Sequence, residues 1–143
     1  MAVTVKKAIL WRTEVQDRPG ALAQVLEPLA FAKADLEVVM GYRLPGDPAR
    51  AVFEVWPVGG KKLSEAAEGA GLSPSHVPAV VVNGDNRAGL GHRIARALAD
   101  EGVNLTFLVA QVLGRRYSAV FGFASDADAT RAVGLVRKAA SKR

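Results

Sequence analysis

The sequence predicts an α+β protein built as two tandem βαββαβ units, each an antiparallel sheet with its helices on one face. Three observations predict it. Half of the 143 residues are hydrophobic and 23% are charged, with a mean hydropathy of +0.13, which suits a buried core and excludes a disordered tail. The chain repeats itself at a nearly constant offset. Within each repeat, β-rich runs and amphipathic stretches follow the order β-α-β-β-α, leaving little room for a terminal strand.

The repeat is visible when Gln16-Asp-Arg-Pro-Gly-Ala-Leu22 is laid over Asp85-Asn-Arg-Ala-Gly-Leu-Gly91. Arg18 falls on Arg87 and Gly20 on Gly89, an offset of 69 residues. The same offset carries Leu29-Ala30 onto Leu98-Ala99, Asp35-Leu36 onto Asn104-Leu105 and Leu44 onto Leu113. With one residue lost in a turn, Pro45-Gly46 against Gly114, Ala51-Val-Phe53 then matches Ala119-Val-Phe121 at an offset of 68. Residues 1–72 and 73–143 are the expected repeats.

Each element has its own signal. Ala8–Val15 and Ala79–Val82 are β-rich, the second continuously apolar as a central strand is. Leu22, Val25, Leu26 and Leu29 recur at helical spacing, as do Leu90, Ile94, Ala97 and Leu98, whose outer face carries Arg93, Arg96 and Asp100. Pro28 predicts a kink in the first helix, and Gly102 a C′ stop to the second. Strands are expected over 35–44 and 50–58, and again over 104–113 and 117–123, joined by turn-forming residues. Helices over 61–70 and 127–140 close the units, the latter capped by Ser125 or Asp126. Residues 71–78, rich in Pro and Ser, form the connector.

Composition excludes several functions. There are no cysteines, which removes disulfides, thiolate catalysis and thiolate metal sites. No apolar run approaches the ~20 residues of a membrane span, and the N-terminus lacks the apolar core of a secretory signal, so a cytoplasmic protein is expected. Nineteen Lys and Arg against fourteen Asp and Glu give a net charge of +5. They are dispersed as Lys6-Lys7, Lys61-Lys62, Arg115-Arg116 and a tail ending Lys142-Arg143, a pattern that reads as a solvated surface. His76 and His92 are not clustered with carboxylates, so neither a metal nor a cofactor is expected. Gly84 to Gly89 has the glycine spacing of a P-loop, but Leu90-Gly91 stands where Lys-Ser/Thr would meet phosphate.

The residues with chemistry to offer are the two glycine turns. A helix N-terminus exposes unpaired N–H groups and about half a positive charge, fit for a carboxylate or phosphate. Gly20 and Gly89 permit close approach to the backbone, and Arg18 and Arg87 add a carboxylate-matching fork. Equally, Asp17 and Asn86 have the character of N-caps and Pro19 of a first-turn proline. Pro19 removes one N–H from the first turn and Ala88 restores it in the second, which also carries Asp85 and Gly91; if one turn binds an anion, the second is better equipped.

A strand ending in Asp17-Arg-Pro-Gly-Ala-Leu-Ala23, a leucine-rich helix and an acidic or amide residue opening the next strand resemble the ACT domain. So does Asn86-Arg-Ala-Gly-Leu-Gly-His92 with Ala97-Leu-Ala-Asp-Glu-Gly-Val-Asn-Leu105. The resemblance covers nearly the whole chain as two ACT-like repeats and implies a regulatory, non-catalytic module that binds a free amino acid between paired units. It implies ligand contacts from Asp17, Arg18, Gly20, Ala21 and Leu22, with Glu37, Val38 and Val39 on the following strand. In the second repeat these become Asp85, Asn86, Arg87, Ala88, Gly89, Leu90 and Gly91, with Thr106, Phe107 and Leu108. Backbone amides would take the α-carboxylate, and Asp17, Asp85 or an Asn carbonyl the ammonium. A homodimer is expected, since open sheet edges need covering, and a separate regulated enzyme is a possible partner. The competing reading is an RNA-binding protein with RRM-like sheets, although Arg115-Arg-Tyr-Ser-Ala119 lacks the glycine and aromatic of the RRM strand. A small enzyme on the same scaffold has no identifiable acid/base pair.

Overall fold

A computed structural model describes residues 3–141; Lys142 and Arg143 of the basic tail lie outside the described residues. The chain order is β1 (Val3–Ala8), β2 (Trp11–Gln16), α1 (Ala21–Phe31), β3 (Val38–Leu44), β4 (Asp47–Trp56), α2 (Lys61–Gly69), β5 (Ser73–Pro74), β6 (Ala79–Asp85), α3 (Leu90–Asp100), β7 (Leu105–Leu113), β8 (Arg116–Phe123) and α4 (Asp126–Ser141).

Two antiparallel sheets result, in the orders β3-β4-β2-β5 and β1-β6-β8-β7. The expected strand over Ala8–Val15 is β2, and a strand that was not expected, β1, precedes it and joins the other sheet. β1 pairs with β6, Val5 opposite Val82, while β2 pairs with β4, Thr13 opposite Phe53. The compact units are therefore Ile9–His76 and, discontinuously, β1 with residues 77–141. The division at 72/73 misplaces β1, because its hydrogen-bonding partner is β6 and not a strand of the first repeat. Both units thereby gain the terminal strand that their sequence order left little room for: β5 beside β2, and β1 beside β6.

The cores follow the predicted periodicities except at Leu22, which is exposed while Ala21 takes the core position. In Ile9–His76, Ala21, Val25 and Leu29 of α1 and Ala67 of α2 pack on Trp11, Ala51, Phe53 and Val55. In the other unit, Leu90, Ile94 and Leu98 of α3 and Ala129, Ala132 and Val136 of α4 pack on Val5, Val80, Val82, Tyr117, Ala119 and Phe121. Ala79 to Val82 are all buried, as a strand lying between β1 and β8 requires. Gly102, at φ +70°, ends α3 with Val103 N–H donating to the Leu98 carbonyl. Ser125 Oγ accepts from Asp128 N–H at 3.1 Å at the start of α4.

Strand register corrects the repeat alignment. Tyr42 lies opposite Val52, and Gln111, its counterpart 69 residues on, lies opposite Ser118. The hairpin turns are of equal length, closing with Leu44 opposite Asp47 and Leu113 opposite Arg116. The length difference is a bulge in β4: Arg43 faces Ala51 but Leu44 faces Asp47, so Pro48, Ala49 and Arg50 are extra. Equivalent positions of β4 and β8 are thus 66 apart, and the shared Ala-Val-Phe is a coincidence of like strands. Ala51 corresponds to Tyr117.

Val5 is 2% exposed in the core shared with α4. Val5→Ala is expected to destabilise the unit that contains β6 by about 2 kcal/mol in urea unfolding. Hydrogen exchange should quicken in β6 and α4 while β2 and β4 keep their protection; equal quickening in β2 would contradict the assignment of β1.

Candidate functional site

The two glycine turns have one geometry. Asp17 N–H donates to Ala49 O at 2.9 Å, and Ala21 N–H to Arg18 O at 3.1 Å. In the second turn, Asn86 N–H donates to Arg115 O at 2.8 Å and Leu90 N–H to Arg87 O at 3.1 Å. Gly20 and Gly89 sit at φ +88° and +84°, and each is the N-cap of its helix. Only glycine enters that left-handed region without strain. Asp17 and Asn86 are therefore not the N-caps; they stand three residues earlier, and neither helix has a side-chain cap.

The first helical bonds run from Gln24 N–H to Gly20 O and from Arg93 N–H to Gly89 O, both at 3.0 Å. Ahead of them come the amides of Leu22 and Ala23 in one unit and of Gly91 and His92 in the other, at the positive helix ends. Ala23 and His92 were absent from the predicted set; the signal for them was their place three residues after each glycine. Ala21 and Leu90, 6% and 1% exposed, give their side chains to the cores, and their amides to the turns.

The charged groups are already engaged. Arg18 Nη2 donates to Gln24 Oε1 at 2.7 Å. Arg87 Nη2 donates to Ala140 O at 2.7 Å, binding the end of α4. Asp17 Oδ2 accepts from Arg43 Nε at 3.0 Å and Asp85 Oδ1 from Arg116 Nη1 at 3.2 Å. Both ion pairs are solvent-accessible and so weakly held. Each carboxylate keeps a second oxygen.

The strand residues lie elsewhere. β2 and β3 both run antiparallel to β4 and hence parallel to each other. The turn after β2 is at the end of the sheet where β3 finishes, beside Arg43; Glu37, Val38 and Val39 open β3 at the opposite end, Glu37 N–H donating to Trp56 O. In the other unit Asp85 to Gly91 lie near Leu113, and Thr106 to Leu108 at the far end. Seven strand residues at ~3.3 Å each separate the two groups by roughly 20 Å. No single unit brings the predicted set together. Val39, Leu108 and Val109 are close to half exposed, on edge strands. Thr106 is bulged out of register, and Phe107 lays its ring over Gly122, where an added Cβ would collide with it.

Tyr117, 6% exposed, places its hydroxyl 4.0 Å from where a Cβ on Gly91 would stand. Burial pushes its pKa above the ordinary tyrosine value. Among the described residues, no three His, Asp or Glu gather as metal ligands, and no helix is long and apolar enough to cross a membrane.

No family model and no curated protein matches the sequence. Solved structures do match in fold. Protein BT0572 from Bacteroides thetaiotaomicron superposes with a TM-score of 0.74 at 14% identity, over 91% of this chain and 88% of that one. The ligand-free regulatory subunit of aspartate kinase from Thermus thermophilus superposes at 0.62 with 20% identity, over 97% of both chains. The aspartate kinase of Clostridium acetobutylicum gives 0.62 at 15% identity, with 96% of this chain matching 34% of that enzyme. The chain thus has the tandem ACT-like α+β fold seen in those regulatory subunits.

Gly20→Ala adds a Cβ that meets nothing within 4 Å, so its cost is conformational, about 1 kcal/mol in urea unfolding. A change within error would remove the case for a required left-handed turn. A phenol with a raised folded pKa stabilises fully below its unfolded value of about 10, and that stability is lost as pH climbs towards the folded value. Tyr117→Phe is therefore expected to flatten the alkaline limb of the stability–pH curve relative to the wild type.

Proposed function

We propose that the chain is a non-catalytic regulatory module that binds a free amino acid between units of two copies of the chain paired edge to edge. The observation that carries this reading is the separation within each unit: the amide-bearing turn is at one end of the sheet and the strand opening at the other. Antiparallel pairing of two edge strands sets the turn end of one unit beside the strand-opening end of its neighbour. The two half-sites then meet, and an α-carboxylate sits on the Leu22–Ala23 or Gly91–His92 amides while the free oxygen of Asp17 or Asp85 takes the ammonium.

The edges support it. β7 runs nine residues, LTFLVAQVL, without a charge or a proline, leaving a paired-strand template uncovered. A homodimer joined along such edges gains stability when ligand bridges the seam, and the shift in population is the regulatory output. A separate enzyme is the natural recipient of that output, as the aspartate kinase regulatory subunits are by name parts of an enzyme. The RNA-binding reading has less support: Tyr117, Phe121 and Phe123 face the helices within the core and offer no stacking platform.

Calorimetric titration of the intact protein with each of the twenty amino acids is expected to give saturable heat for one or a few, with a matching rise in Tm. Val109→Lys, on the exposed face of β7, is expected to turn a dimer into a monomer in light scattering and to abolish that heat. Absence of heat and of Tm shift at millimolar ligand, on folded protein, refutes the reading.

A further inference from the structure

The two units differ most beside their first helices. α2 has nine residues and α4 sixteen. Carrying the 66-residue offset of β4 and β8 past the strands sets Lys61 against Ala127 and Gly69 against Leu135, and α2 ends there while α4 continues over residues 136–141. The reason is connectivity. After α2 the chain reverses at Gly71, at φ +88°, to supply β5. After α4 no strand is owed, because β1 already completes that sheet.

Those extra residues cover the flank of α3. Val136, Ala139 and Ala140 are 0%, 4% and 4% exposed, and the Ala140 carbonyl accepts from Arg87. In Ile9–His76 the equivalent place is an open groove of about 660 Å³ between α1 and the end of α2. Its walls include Ala21, Val25, Pro28 and Ala70. Ala21 and Val25 stand where the other unit has Leu90 and Ile94, which widens it further. Arg18, the counterpart of Arg87, lies on the rim with Arg50, Glu14 and Glu27; Arg50 Nη2 donates to the Glu14 carbonyl at 3.2 Å, and the Glu14 carboxylate is paired with Arg12. With no helix end to hold, Arg18 donates to the neutral Gln24 amide instead.

We infer that this groove seats the C-terminal end of a helix from a partner polypeptide, bearing small apolar residues and directing its last carbonyls and carboxylate at Arg18. The shape is argued from the helical turns that fill the same place in the sister unit. The polarity is argued from Arg18, whose counterpart Arg87 holds the Ala140 carbonyl at the end of α4, as a cation at the negative end of a helix does. The site lies within one unit, on the helix side of its sheet, and shares Arg18 and Ala21 with the residues expected to contact an amino acid, so free alanine and acetate are the controls that separate the two.

The test is an NMR titration of the ¹⁵N-labelled full chain with a synthetic N-acetylated peptide of residues 126–141 carrying a free carboxylate. Saturable shifts are expected at Ala21, Val25 and Ala70, with a Kd near 1 mM or tighter. Gln24→Trp, on the exposed lip of the groove, should weaken binding at least tenfold, and amidating the peptide's C-terminus several-fold. Should Gln24→Trp lose its spectral dispersion, Arg18→Gln serves as the second blocking variant. The inference is overturned by no saturable shift at that concentration, by shifts confined to residues 77–141, or by the same shifts from acetate or free alanine, which would make the groove a small-carboxylate pocket.

Discussion

The antiparallel ladder between β1 and β6 is the constraint from which the rest of this architecture follows. It takes the first strand of the chain out of the repeat in which it is written and gives it to the other. One sheet is then complete without help from its C-terminal helix, and the other must draw its last strand from the connector. A long α4 and a short α2 are the two consequences. With β1 on one side and β8 on the other, the backbone groups of β6 are paired on both edges.

A second constraint is the pair of left-handed glycines. They turn the chain from strand to helix in so few residues that the first amides of α1 and α3 emerge at a sheet end. The arginines near them show how duplicated residues diverge in use. Arg87 holds the end of α4 and Arg18, in the same sequence position, has only the Gln24 amide. The difference lies in what each finds within reach, since the side chains are identical.

Much of the fold was legible in the residues. Helical periodicity named Val25, Leu29, Ile94 and Leu98 as core, and the apolar run at Ala79 to Val82 named a central strand. The Gly102 stop and the Ser125 cap were readable because both are local chemistry, complete within four residues. The alignment after the hairpin misled, because Ala-Val-Phe recurs on any strand with the same buried face, and Pro48, the one compositional mark of the three-residue bulge in β4, reads equally well as part of the turn. The candidate residues were likewise found by local pattern, but their separation across a sheet was not, since it depends on strand direction.

The sequence by itself determined the α+β class, the duplication and the glycine turns, for these rest on short-range sterics and on the spacing of apolar side chains. The tertiary structure alone decided which sheet β1 joins, which arginine is engaged by a helix end, and where a groove stays open. Those are matters of pairing between segments far apart in the chain. Many alternative pairings satisfy the same local pattern, and only the packed molecule selects among them.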